Sequence, residues 1–280
     1  MLKKFFSAIG VISFVCFSCY YTDLATHLIK NNDPIMKDII EVSKEFEVSA
    51  IDATLVNNNI IPGISGSKVN IDKSYYSMKK YGSFNEDLIV FEEVIPTVSA
   101  SNTFDKYVSN GNKTKKDVCL VIVVEENAYL ENVIDILDSK GVRATLFIDS
   151  KIINNSLDII KLVNNSKHQV EVKLDSYNKE EILKYNTIFK TSIDKKMNFC
   201  YTEEENNVVL NNCNVSKLHT ILPSLITSNF PYSDVKNNLE NGLIINLDNN
   251  QHTLRELKYI INYITQKGFD LVTLNELMDE

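Results

Sequence analysis

The chain has 280 residues, a formal charge of −8 and an apolar share of 44%. That length holds one large domain, or a large one with a small companion, and the apolar share is enough for a sizeable core. The acidic balance lacks the basic footprint of a nucleic-acid binder and argues against such a partner, while leaving a neutral one such as a glycan open.

Lys3 and Lys4 precede the uncharged run FFSAIGVISFVCFSCYY at 5–21. This is the pattern of an export signal, or of a short membrane anchor. Residues 1–21 are therefore expected to meet the membrane and to place the remainder outside the cytoplasm, secreted or anchored. Cys16-Phe17-Ser18 is the best cleavage site, although a poor one, and Cys16 and Phe17 fit a lipid-modified Cys19 badly.

Residues 22–110 read as a small α+β accessory module. DPIMKDIIEVSKEFEV (33–48) has helical spacing of Ile and Val, and the stretch at 50–71 alternates short apolar runs with Asn and Gly turns. KSYYSMKKYGSFN predicts a short helix ending near Gly82, and DLIVFEEVIP (87–96) a strand closed by Pro96. Tyr75, Tyr76 and Tyr81 could stack on sugar rings or fill a core. The polar run SNGNKTKK (109–116) marks the expected boundary, with 111–116 as linker and 117–280 as the second domain.

After Lys116 strands and helices alternate. VCLVIVV (118–124) is a buried parallel strand, followed by a helix whose Leu130, Val133, Ile134 and Leu137 share one face and which stops at Gly141. Strands are expected at 142–148, 169–174, 197–201, 242–247 and 269–274, and helices at 156–165, 179–185 and 252–268. This alternation implies parallel strands with right-handed crossovers, closed as a barrel or left as a curved sheet. Cys119 reads as a small core residue; Cys200 and Cys213 are free to pair in an oxidising compartment, and the sequence leaves that open.

The segment ENVIDILDSKGVRATLFIDSKIINN (131–155), with Ala144-Thr145-Leu146-Phe147, resembles the helix, glycine turn and A-T-F-F strand of the polysaccharide deacetylase (NodB-homology) family of carbohydrate esterases. Lys167-His168-Gln169-Val170 resembles its G-H-E-I stretch, and the tail from Gly242 through QKGFDLVTLNEL its closing strand, helix and strand. The resemblance covers roughly 115–278 and implies an α/β fold, an irregular (β/α) barrel of the polysaccharide-deacetylase type. It also implies removal of N- or O-acetyl groups from chitin-like or peptidoglycan sugars.

Such chemistry needs a metal-activated water, a base and an acid. The family's T-F-D-D motif falls on Val121-Ile122-Val123-Val124, its two metal histidines on Lys173 and Tyr177, its R-x-P on Cys200 and Thr202, and its late histidine on Asp248. Positions of the metal motif are thus occupied by Val124, Lys173 and Tyr177, and neither a metal nor another cofactor is implied. His27, His168, His219 and His252 are scattered without metal-ligand spacing. The acids at strand ends, Glu125, Asp149, Asp175 and Asp248, are the fallback catalytic candidates, with the cap of a following helix as their ordinary use. Shifting the register by one or two residues brings Glu125 or Glu126 into the first site but restores no histidine pair. The expected protein is a catalytically inactive deacetylase-like chain that binds or scaffolds at the cell envelope, its partner a cell-wall glycan or an envelope protein. The alternative is an active carbohydrate deacetylase or glycosidase that uses those strand-end carboxylates.

Overall fold

The structure is a computed structural model that describes residues 14–18, 20–22 and 30–280. Most of the expected signal or anchor, with Cys19 and His27, lies outside the described residues. Among the described residues no helix is long and apolar enough to cross a membrane.

Contacts divide the chain into two units: the described part of Met1–Ala50 with Ser65–Val94, and Ile51–Ile64 with Ile95–Glu280. In the smaller unit α1 (Pro34–Ser43) starts on Asp33, whose carboxylate accepts the Ile35 N–H, with Pro34 preset for the first turn. The larger unit begins with the short β1 (Thr54–Val56) and β2 (Asn59–Ile61). The smaller unit continues with β3 (Gly66–Val69), α2 (Ile71–Tyr81) and β4 (Phe91–Val94), which pairs antiparallel with β3. Asn70 caps α2, and Gly82 ends it at φ 97°, a left-handed turn open to glycine. Ile35, Met36, Ile39, Val69, Tyr75 and Met78 form the small core. Tyr75 is buried there and donates to Asp33, which also pairs with Lys79 at 2.5 Å, whereas Tyr76 and Tyr81 are exposed.

The larger unit holds two sheets. One runs β1-β2-β5-β10-β9, adding β5 (Tyr107–Val108), β9 (Phe199–Tyr201) and β10 (His219–Ile221). The other runs β11-β12-β6-β7-β8, with β13 also on β6: β6 (Asp117–Val124), β7 (Thr145–Asp149), β8 (Gln169–Lys173), β11 (Leu225–Ile226), β12 (Ile244–Asp248) and β13 (Asp270–Val272). Every pairing in the second sheet is parallel. The sheets meet where the Glu171 side chain of β8 accepts the Asn198 and Phe199 N–H groups at the start of β9. The chain passes back from β10 to β11 within three residues, and the Leu222 N–H donates to Val108 on the way. The strands are thus arranged as the irregular α/β barrel expected, with helices as crossovers.

Those crossovers are α3 (Leu130–Ser139), α4 (Ser150–Asn155), α5 (Asp158–Asn165), α6 (Lys179–Ile193), α7 (Asn207–Val215), α8 (Pro231–Asn238) and α9 (Gln251–Gln266), with α10 (Leu274–Leu277) closing the chain. Alternation along β6 sorts its side chains. Val118, Leu120, Ile122 and Val124 pack with the helices, while Cys119, Val121 and Val123 face inward with Phe147, Phe199, Tyr201 and Ile244. Both sets are apolar because a parallel strand is covered on both faces.

Residues 111–116 are packed into the larger unit. Gly111 donates to Gly242 at 2.7 Å, and the Asn112 amide donates to Pro62 and Gly63 at 2.9 and 3.1 Å. Gly242, at φ 73°, leaves room for this: a Cβ there would lie 2.3 Å from the Gly111 oxygen. By contacts, 51–64 and 95–116 group with the larger unit, whereas composition marked a boundary at 109–116.

Candidate functional site

The C-terminal ends of the parallel strands form the face on which α/β proteins place chemistry. The register sets Asp248 opposite Val123, Val124 opposite Ile148, and Asp149 opposite Lys173. Val123 faces inward and Val124 packs under the helices, so the second apolar residue does not face the mouth at all.

Lys173 ends β8 and pairs with Glu125, which lies one residue past β6. The lysine is largely covered and Glu125 is mostly exposed. Tyr177 sits fully buried at φ 50°, a left-handed backbone that non-glycine residues seldom take. Its hydroxyl donates to the Val172 carbonyl at 2.9 Å and accepts the Tyr201 N–H at 3.0 Å, and burial pushes the phenol well above its ordinary range. It therefore ties the end of β8 to β9 in place of presenting a ligand. Cys200 is joined to Cys213 by a disulfide that staples β9 to α7, which answers the pairing left open by the sequence.

The fallback carboxylates have separate employments. Asp149 caps α4, accepting the Lys151 N–H at 2.7 Å. Asp175 is exposed in the loop after β8. Asp248 remains at the mouth, where partial burial first, and the charge of Glu203 next, push its carboxyl above the usual range, with Lys173 pulling it down. Tyr201 donates to Asn246 at 2.8 Å and to Glu203 at 3.3 Å. Glu125, Lys173, Glu203 and Asp248 thus stand at the strand ends with the buried Tyr201–Asn246 pair beside them, a hydrogen-bonding set without imidazole.

Among the described residues no group of three or more His, Cys, Asp or Glu is placed to hold a metal ion. The donor set at the deacetylase positions does not fit one: two valines, an ion-paired ammonium and a buried phenol already hydrogen-bonded at its oxygen. His168 is buried behind β8, with Nε2 3.3 Å from Asp138, and burial lowers its pKa. His219 stacks on Phe104 at 4.5 Å, and His252 lies in the first turn of α9.

A second polar cluster at the opposite, N-terminal end of the strands escaped the sequence reading. Thr145 donates to Gln169 at 3.2 Å and accepts the Leu274 N–H at 2.9 Å; Gln169 donates to Glu171 at 2.8 Å. Glu171 is 1% exposed, and burial pushes its carboxyl up to about 8 despite those donors. Its signal was legible: QVEVKL puts an acid inside an alternating apolar strand, on the face opposite Val170 and Val172.

No family model matches the chain. Among solved structures, the fold matches that of the family 4 carbohydrate esterases. BA3943 of Bacillus anthracis, described as a pseudoenzyme of that family, has a TM-score of 0.67 and 21% identity over 89% of this chain and 96% of its own. The Bc1960 peptidoglycan N-acetylglucosamine deacetylase aligns at TM-score 0.56 and 20% identity over 61% of this chain and 92% of its own. PdaA of Bacillus subtilis, also a family 4 esterase, aligns at 0.56 and 17% over 61% and 84%. A sequence relative is the Bacillus subtilis protein YlxY, described as uncharacterized, 27% identical across 89% of this chain and 85% of its own. These likenesses establish the deacetylase fold.

Proposed function

We propose that the protein is a catalytically inactive member of the deacetylase fold that binds a carbohydrate of the cell envelope, exported or anchored by its N-terminal segment. One observation carries the reading: the Lys173–Glu125 ion pair stands where a metal ligand would be needed. A protonated amine there repels a divalent cation, and the inward Val123 supplies no base. The exposed Glu203 and Asp248 at the strand ends offer acceptors for the hydroxyls of a sugar. Support comes from the likeness to BA3943, which spans 89% of the chain where the deacetylase Bc1960 spans 61%. The small N-terminal unit is then an accessory module of the binding protein. An acetate-release assay on chitooligosaccharides and peptidoglycan fragments, with added Zn²⁺ or Co²⁺, tests the inactivity. Metal-dependent turnover overturns it, and calorimetric binding of the same sugars, weakened in Glu203→Gln, supports the binding role.

A second reading rests on Asp248. A carboxyl pushed above its ordinary range beside a second acid, Glu203, resembles the division of labour that glycosidases use. Reducing-sugar release that disappears in Asp248→Asn would establish it in place of the first.

A further inference from the structure

We infer that the N-terminal end of the strands carries a phosphate-binding site. A cavity of about 160 Å³ opens there, too small for a drug-sized ligand and suited to one compact group. Its rim holds Arg143, Lys167, Lys195 and Lys196, and its buried wall includes His168 and Glu171. Four cations ring one small opening in a chain whose formal charge is −8, so the local sign is opposite to the global one.

Three of these four charges are not spent in ion pairs among the described residues. Arg143 pairs with Glu276 at 2.5 Å, whereas among the described residues no ion pair is formed by Lys167, Lys195 or Lys196. The Glu171 carboxyl is occupied by Gln169 and by the N–H groups of Asn198 and Phe199. The Gln169 carbonyl is taken by Thr145 and the Asn275 N–H. The floor is therefore internally satisfied, with one exception. The His168 side chain has no exposure; its Nε2 lies 3.3 Å from Asp138, and its Nδ1 has no hydrogen-bond partner among the described residues. A buried polar atom left so is expensive unless something occupies it. Monohydrogen phosphate supplies acceptor oxygens for ammonium groups and one O–H donor for a ring nitrogen, which a sulfate lacks. Lys167, at φ 62°, closes α5 in the left-handed region just before His168. The shared chemistry is a phosphate monoanion or dianion, either free in solution or on a lipid headgroup.

Calorimetric titration of the full chain with inorganic phosphate at low ionic strength tests the site, using wild type, the double variant Lys195→Gln/Lys196→Gln and the control Lys258→Gln. All three lysines are exposed, so the variants fold. Saturable one-site binding by wild type and control, weakened about tenfold or more in the double variant, supports the site, that loss being one charge-assisted hydrogen bond or more. No binding, or equal binding by the double variant, overturns it. Sedimentation with phosphatidylglycerol and phosphatidylcholine vesicles separates the sources. Lysine-dependent capture by the former assigns a headgroup, phosphate binding without capture assigns a soluble ligand, and capture indifferent to the lysines without phosphate binding overturns the site.

Discussion

The two ends of the parallel strands treat polar groups in opposite ways. At the mouth, Lys173 and Glu125 make an ion pair whose acid is largely in water, and Asp248 stands partly solvated. At the base, Thr145, Gln169 and Glu171 are buried and hydrogen-bond to one another and to backbone N–H groups of β9 and α10. An exposed pair contributes little to stability, whereas a buried network is costly to break. The mouth is therefore free to change without loss of the fold, and the base is not.

The sharpest test of that contrast is Glu171→Leu, which strands the Gln169 amide and two backbone N–H groups. At about 1–3 kcal/mol for each buried orphan, urea unfolding should show a loss of about 4 kcal/mol. Glu171→Gln should preserve most of the stability but alter its pH dependence. With the folded carboxyl at about 8, the folded state holds a proton that the unfolded state has released above its ordinary value near 4.5. Stability should thus be full below pH ~4.5, fall by up to about 1.4 kcal/mol per pH unit as pH rises, and level off above ~8. The Gln variant should lack that decline; an unchanged slope would disconnect Glu171 from it.

Breaking the wall beside the mouth costs slightly less. Cys200→Ser with Cys213→Ser removes a cross-link of 13 residues' separation and should lower stability by about 3 kcal/mol, read as a drop in Tm that reductant reproduces in the parent. Tyr177→Phe keeps the buried ring and loses two hydrogen bonds, an effect of about 1–2 kcal/mol. Lys173→Gln should change stability by under about 1 kcal/mol and create no Zn²⁺ affinity by calorimetry, since Val123 and Tyr177 still supply no ligand. A larger loss from Lys173→Gln than from Glu171→Leu would reverse the comparison.

Much of this was legible in the chain. β6 announced itself because seven consecutive apolar residues suit a strand covered on both faces, and α3 and α9 because their apolar spacing follows one helical face. The deacetylase fold was legible because the resemblance rests on residue types at fixed spacing. The sheet of β1, β2, β5, β9 and β10 was not, apart from β9: its strands are two or three residues long, too short for a period, and β5 pairs with strands about 50 and 110 residues away. The Lys173–Glu125 pair likewise joins positions 48 residues apart, and nothing local to either one predicts it. The orientation of Val124 away from the mouth follows from strand alternation once the inward face is known, which is tertiary information.

The disulfide at Cys200–Cys213 has a use beyond holding β9 to α7. Thiols of this kind close where the surroundings are oxidising and stay open in a reducing cytosol. Every copy of the chain is thus a tally of where it matured. Alkylating the protein straight from its host, before and after reduction, and weighing the fragment that carries both sulfurs would read out the compartment without microscopy or fractionation.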